Sequence, residues 1–130
     1  MKRRRSFLEK KLMNIERGEV VNARFPHASG GRGKKRPVVV VQANAYNLRL
    51  RHAVVAQLTT NLADLGDPAC LLIEAGTSEA IAAGLTHDSL LCAYLLSLMS
   101  EDRLTDVIGK LPDQFMRKVD DCLKAAMGIA

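Results

Sequence analysis

The clearest apolar pattern in the chain is the run Val38, Val39, Val40 and Val41, which directly follows Arg36 and Pro37. Branching at Cβ suits a pleated sheet and crowds a helix, so four valines without a polar break predict a strand buried on both faces. Pro37 has no N–H to give to a ladder, which predicts it for the first position of that strand. Ahead of it lie Ser29, Gly30, Gly31, Arg32, Gly33, Lys34 and Lys35, a cationic, glycine-rich loop. Arg36 thus stands at the mouth of a rigid strand, in a good place to hold an anion. A solvated basic turn between two strands is the plainer reading of the same residues.

The pattern elsewhere is also strand-rich. In residues 18–25, Val21, Ala23 and Phe25 alternate with Asn22 and Arg24, predicting a first strand that Pro26 ends. Residues 42–47 read as a turn and residues 53–59 as a third strand, closed by Thr59, Thr60 and Asn61. Residues 70–74 predict a fourth strand. Residues 78–83 predict a single helical turn, capped by Ser78 and stopped at Gly84. The apolar run 89–96 fits strand or helix, and the β-rich context favours strand. In the tail, Pro112 and Asp113 open a helix. Phe115, Met116, Val119, Cys122, Leu123 and Ala126 recur at three- and four-residue spacing, with Arg117, Lys118, Asp120, Asp121 and Lys124 opposite. This predicts an amphipathic helix laid on a sheet.

Composition narrows the function. The 130 residues fit one domain, and 48% hydrophobic residues supply a core. Aromatic residues are 4% with no Trp, which argues against aromatic stacking platforms for single-stranded nucleic acid. No apolar run approaches the ~18 residues of a membrane span. Cys70, Cys92 and Cys122 are odd in number and far apart in sequence, pointing to a reducing cytosol without a disulfide framework. No Cys/His pair has metal-ligand spacing, so neither metal nor cofactor is expected. The net charge of +5 is unevenly spread. Residues 1–16 form a basic extension, read as frayed helix or disorder, ahead of a single domain over 17–130. Residues 17–51 carry eight basic residues against Glu19 alone, whereas from His52 onward acids outnumber bases eleven to five. Such asymmetry suits a polyanion on one face.

Taken in order, Gly18-Glu19-Val20-Val21, Phe25-Pro26, Arg36-Pro37-Val38-Val39-Val40 and Val54-Val55-Ala56-Gln57-Leu58-Thr59-Thr60 resemble the MazF/PemK family of toxin endoribonucleases. Asp88-Ser89-Leu90-Leu91, Arg103-Leu104 and the final helix extend the resemblance to the C-terminal half. It implies a small, bent, SH3-like antiparallel β-barrel with a C-terminal helix, mainly β in class and usually a homodimer. It further implies a cytoplasmic toxin that cleaves single-stranded RNA without a metal and is held by a cognate acidic antitoxin. The family's arginine maps to Arg36 and its hydroxyl residue to Thr59. The chemistry suits both. When an RNA 2′-OH attacks the neighbouring phosphate, charge builds on the non-bridging oxygens, where a guanidinium can clamp them and a hydroxyl can donate a further bond. Arg24, Ser29, Arg32, Lys34, Lys35, Arg49, Arg51, Gln57, Thr60 and Asn61 are the candidate RNA-binding residues. Thr60 and Asn61 also read as a turn cap.

This chain departs from the family at several places. Many relatives carry Ser-Glu where it has Gly30-Gly31, and no Asp or Glu lies between Val20 and Ala63. His27 is the candidate replacement base, since imidazole titrates near pH ~6.5; an ordinary loop histidine is the alternative. Where an acidic residue, a Gln and an Arg are common before Arg103-Leu104, this chain has Tyr94, Leu95 and Ser97. Two other functions fit the same fold: a non-catalytic nucleic-acid- or partner-binding module, and a topoisomerase-poisoning toxin acting through its last helix.

Overall fold

The computed structural model describes residues 14–25 and 33–130. The strands are β1 (Glu19–Arg24), β2 (Lys35–Val40), β3 (His52–Thr59), β4 (Cys70–Ile73), β5 (Ser89–Ser100) and β6 (Leu104–Lys110). The helices are α1 (Asn44–Asn47), α2 (Ser78–Ala82) and α3 (Asp113–Met127), with a 3-10 turn at Glu101–Arg103. All pairings are antiparallel, in the order β4-β5-β3-β2-β1-β6. The expected mainly-β architecture with a C-terminal helix is present. The ladder does not close on itself, however, so β4 and β6 are edges and the element is a bent sheet rather than a sealed barrel.

The valine run does what its branching predicts. Val39 and Val41 enter a core beneath α3 with Val20, Leu91, Ile73, Leu111, Phe115 and Val119. Val38 and Val40 enter a second core on the other face with Ile15, Val21, Ala23, Val55, Met99 and Leu104. A strand sandwiched between two cores needs apolar side chains at successive positions, as this one has. Ile15 belongs to that second core, although the sequence assigns it to the basic extension. Pro37 is the third residue of β2, not the first. It pairs with Asn22 of β1, while the ladder to β3 begins only at Val38.

Three local features differ from expectation. Residues 44–47 form a helical turn around buried Asn47, whose Nδ2 donates to the Gln42 carbonyl at 2.9 Å and whose Oδ1 accepts from Gln42 Nε2 at 2.9 Å. Thr77, not Ser78, caps α2, its Oγ1 accepting from the Ala80 N–H at 3.3 Å. The strand over 89–96 is present but runs on to Ser100, and β6 follows. An edge strand with mostly exposed residues, such as Thr105, Asp106 and Val107, gives no alternating signal to read.

α3 is amphipathic as predicted, burying Phe115, Met116, Val119 and Cys122. Gly128 ends it in the left-handed conformation at φ 70°, a backbone state that glycine enters without Cβ strain. Arg17 ties this helix to the sheet: its Nη2 donates to Asp120 Oδ1 at 2.7 Å and its Nε to the Val41 carbonyl at 2.8 Å.

The end of α2 lies against β6 at backbone distance. A Cβ on Gly109 would overlap the backbone of Ala82 and Ala83, two carbonyl-bearing segments that cannot rotate aside. Gly109→Ala is therefore expected to lower unfolding free energy by about 1–3 kcal/mol. A denaturant midpoint equal to that of the wild type would show that the two segments separate freely.

Candidate functional site

The β2–β3 ladder pairs Val40 with Val55, Val39 with Ala56 and Val38 with Gln57. It stops at Pro37, the residue with no N–H to continue it. Carried two residues further, the same register sets Arg36 opposite Thr59. A groove opens where the ladder ends. One lobe, of about 180 Å³, is lined by Arg36, Pro37, Leu58, Thr59, Thr60 and Ser89. A second, of about 220 Å³, shares Arg36, Leu58 and Thr59 and adds Gln57, Asn61, Asp64, Tyr94 and Leu95.

Arg36 is exposed and has no hydrogen bond or ion pair among the described residues. Thr59 is held by its neighbours: its Oγ1 accepts from the Asn61 N–H at 3.0 Å. A hydroxyl has one proton and two lone pairs, so Thr59 keeps its proton to donate. Asn61 Oδ1 accepts from the Ala63 N–H at 2.9 Å, which leaves its Nδ2 to donate. Asn61 thus caps the turn and also lines the groove.

The far wall comes from an irregularity in β5. Ala56 pairs with Leu96 but Gln57 with Cys92, so Ala93, Tyr94 and Leu95 have no counterparts on β3. The excess bends the strand and presents Tyr94 and Leu95 outward, 41% and 40% exposed. The Tyr94 hydroxyl donates to Asp64 Oδ2. That bond, then desolvation and Cys70, pushes the phenol well above its ordinary range and keeps it a neutral donor. Cys70 and Cys92 sit opposite each other across β4 and β5, with Sγ atoms 3.8 Å apart and both thiols free. Burial, and then Cys92, pushes the Cys70 thiol up to about 11.

The remaining sequence candidates divide by position. His27, Ser29 and Arg32 lie outside the described residues. Lys34 and Lys35 lead into Arg36, and Lys35 Nζ lies 3.7 Å from Asp106 Oδ1. Arg24 is paired in register with Lys35, and its Nη1 donates to the Gly33 carbonyl at 3.4 Å. Arg49 and Arg51 are not brought to the groove. They precede β3 at the end opposite Thr59, and a straight strand of eight residues spans on the order of 25 Å. Arg49 stacks over the Tyr46 ring at 5.4 Å, and Arg51 Nε donates to buried Glu101 Oε1 at 3.2 Å. The basic half of the sequence is therefore not one basic face.

Two groove residues escape sequence reasoning. Asp64 lies one position past the acid-free segment, on a turn that only the fold brings back to Arg36. Tyr94 appears in the sequence only as a departure from the family pattern, and the fold places it on the groove wall.

The fold and site define a small β-sheet protein with a groove at a ladder end, lined by Arg36, Thr59 and Asp64. Residues 16–127 match the family described as PemK-like, MazF-like toxin of type II toxin-antitoxin system, and the chain belongs to that family. It is 30% identical over 119 residues to endoribonuclease MazF6 of Mycobacterium tuberculosis strain H37Rv, covering 90% of this chain and 100% of the relative. It is also 30% identical over 118 residues to endoribonuclease EndoA of Bacillus subtilis, covering 90% and 97%. Among solved structures, a mycobacterial endoribonuclease in complex with its cognate antitoxin superposes with a TM-score of 0.69 at 24% identity. That match covers 89% of this chain and 97% of the other and supports the fold.

Proposed function

We propose that this chain is the toxin of a type II toxin–antitoxin pair and cleaves single-stranded RNA in the cytoplasm. The observation that carries this reading is that Arg36 and Thr59, one on each strand just beyond the end of the β2–β3 ladder, line one groove. Membership in a family whose relatives are named endoribonucleases supports it.

The groove suits internal transesterification. The RNA 2′-OH attacks the adjacent phosphorus, a P–O bond forms, and the bond to the 5′-oxygen breaks. The products carry a 2′,3′-cyclic phosphate and a 5′-OH. Arg36 places two N–H donors on the non-bridging oxygens as their charge grows. Thr59 donates its remaining proton to the same group. A guanidinium stays protonated at working pH, so Arg36 supplies charge and position rather than a proton. A cognate acidic antitoxin segment covering Arg36 would block the groove by occupying its cation.

Arg36→Ala is expected to slow cleavage by at least ~10²-fold. Arg36→Lys should recover little, since a point charge lacks the planar fork. Thr59→Ala should be slow and Thr59→Ser partly active, because the hydroxyl matters and the methyl does not. Chelator should leave the rate unchanged. Cleavage of synthetic RNA with analysis of the product ends checks each statement. Wild-type rates in both alanine variants would refute the site.

The assembly follows from β5. Leu90 and Leu91 are buried, but Leu95 is 40% and Leu98 65% exposed. β4 pairs only with the segment from Ser89 to Cys92, so Leu96 to Ser100 are paired on one side only, with β3. A second copy covering the open edge beside Leu98 gives a two-fold homodimer. Sedimentation is expected to show a dimer at micromolar concentration, and a monomer there would contradict it.

A further inference from the structure

Resting on the RNA-cleaving reading, we propose that Asp64 and Tyr94 select guanine next to the scissile phosphate. The groove has opposite charge at its two walls. Arg36 is the cation, and Asp64 across the groove is a carboxylate. A carboxylate repels phosphate, so the backbone belongs on the Arg36 side and the base on the Asp64 side. Tyr94 is the aromatic residue of this groove, pushed outward by the unmatched residues of β5. Unstacked RNA bases are held by stacking on such rings.

Donors and acceptors narrow the base. An ionised carboxylate only accepts. One Asp64 oxygen accepts from the Tyr94 hydroxyl, which restrains the carboxylate and leaves Oδ1 and further lone pairs unspent at the groove wall. Asn61 has spent its Oδ1 on the Ala63 N–H, so it offers Nδ2 as a donor. The wall therefore presents acceptors from Asp64 and a donor from Asn61. Guanine presents the complement on its Watson–Crick edge: two adjacent donors, N1–H and the 2-amino group, beside the O6 acceptor. Adenine, cytosine and uracil each have a single donor position there, so none matches a carboxylate with two hydrogen bonds. A bidentate contact of this kind commonly discriminates by ten-fold or more.

The test uses short single-stranded RNAs that differ only in the base flanking one cleavable bond, with inosine as a fifth base lacking the 2-amino group. Wild type is expected to show kcat/KM at least ~10-fold higher for guanine than for adenine, cytosine or uracil, with inosine reduced by about ten-fold. Asp64→Asn should flatten this preference. Tyr94→Leu should raise KM more than it lowers kcat, and Tyr94→Phe should keep the stacking but weaken discrimination. Equal rates for all bases in wild type would overturn the proposal. So would an Asp64→Asn variant that slows every substrate alike, since the carboxylate would then act on the chemistry and not on the base. If wild type cleaves none of the RNAs, the nuclease reading fails. Binding of the same RNAs, followed by fluorescence anisotropy, then decides this proposal alone: guanine preference upholds it and equal affinity refutes it.

Discussion

The missing N–H of Pro37 governs the geometry of the groove. A ladder between two buried strands would otherwise continue, seal the sheet and draw Arg36 and Thr59 into regular pairing. It stops at Val38 instead, one residue from a proline that stays in the sheet through β1. The valines that follow anchor the strand from both sides, in two cores. Arg36 is thereby fixed at its backbone beside the groove. Preorganisation of this kind is what makes a single donor valuable at a site where charge develops.

The same logic reaches the opposite wall. A second break in regular pairing, between β3 and β5, displaces Tyr94 toward the groove, and Asp64 holds the displaced ring through its hydroxyl. Both irregularities lie beside the groove, while the far end of β3 is held by Arg51 and Glu101. These two interruptions shape the groove, while further register shifts lie in the β1–β6 ladder. Arg51 spends its charge on buried Glu101, which would be costly to leave unpaired. This is why counting basic residues along the chain overstates the free cationic surface.

Much of this was legible from residue order. The Val38 to Val41 run, the alternation of β1 and the stripe of α3 each carry a period that burial enforces. β6 carries none, because Thr105, Asp106 and Val107 are exposed and an edge needs no alternation. The cap of α2 shifts from Ser78 to Thr77 because adjacent hydroxyl residues compete and only the chain path chooses between them. Arg36 and Thr59 could be named as partners from the family resemblance, and the register gives that pairing a physical basis. Asp64 and Tyr94 could not be paired from sequence. Their meeting depends on strand register, a property of three-dimensional pairing that no local pattern encodes.

The central claim is that Arg36 and Thr59 act together on one phosphate. A double-mutant cycle on RNA cleavage measures this directly, using Arg36→Ala, Thr59→Ala and the combined variant, each shown to be folded. Groups that serve one transition state lose their effects jointly. The account predicts that the combined variant is about as slow as Arg36→Ala alone. Losses that multiply across the two substitutions would mean that the residues act independently, and would contradict it.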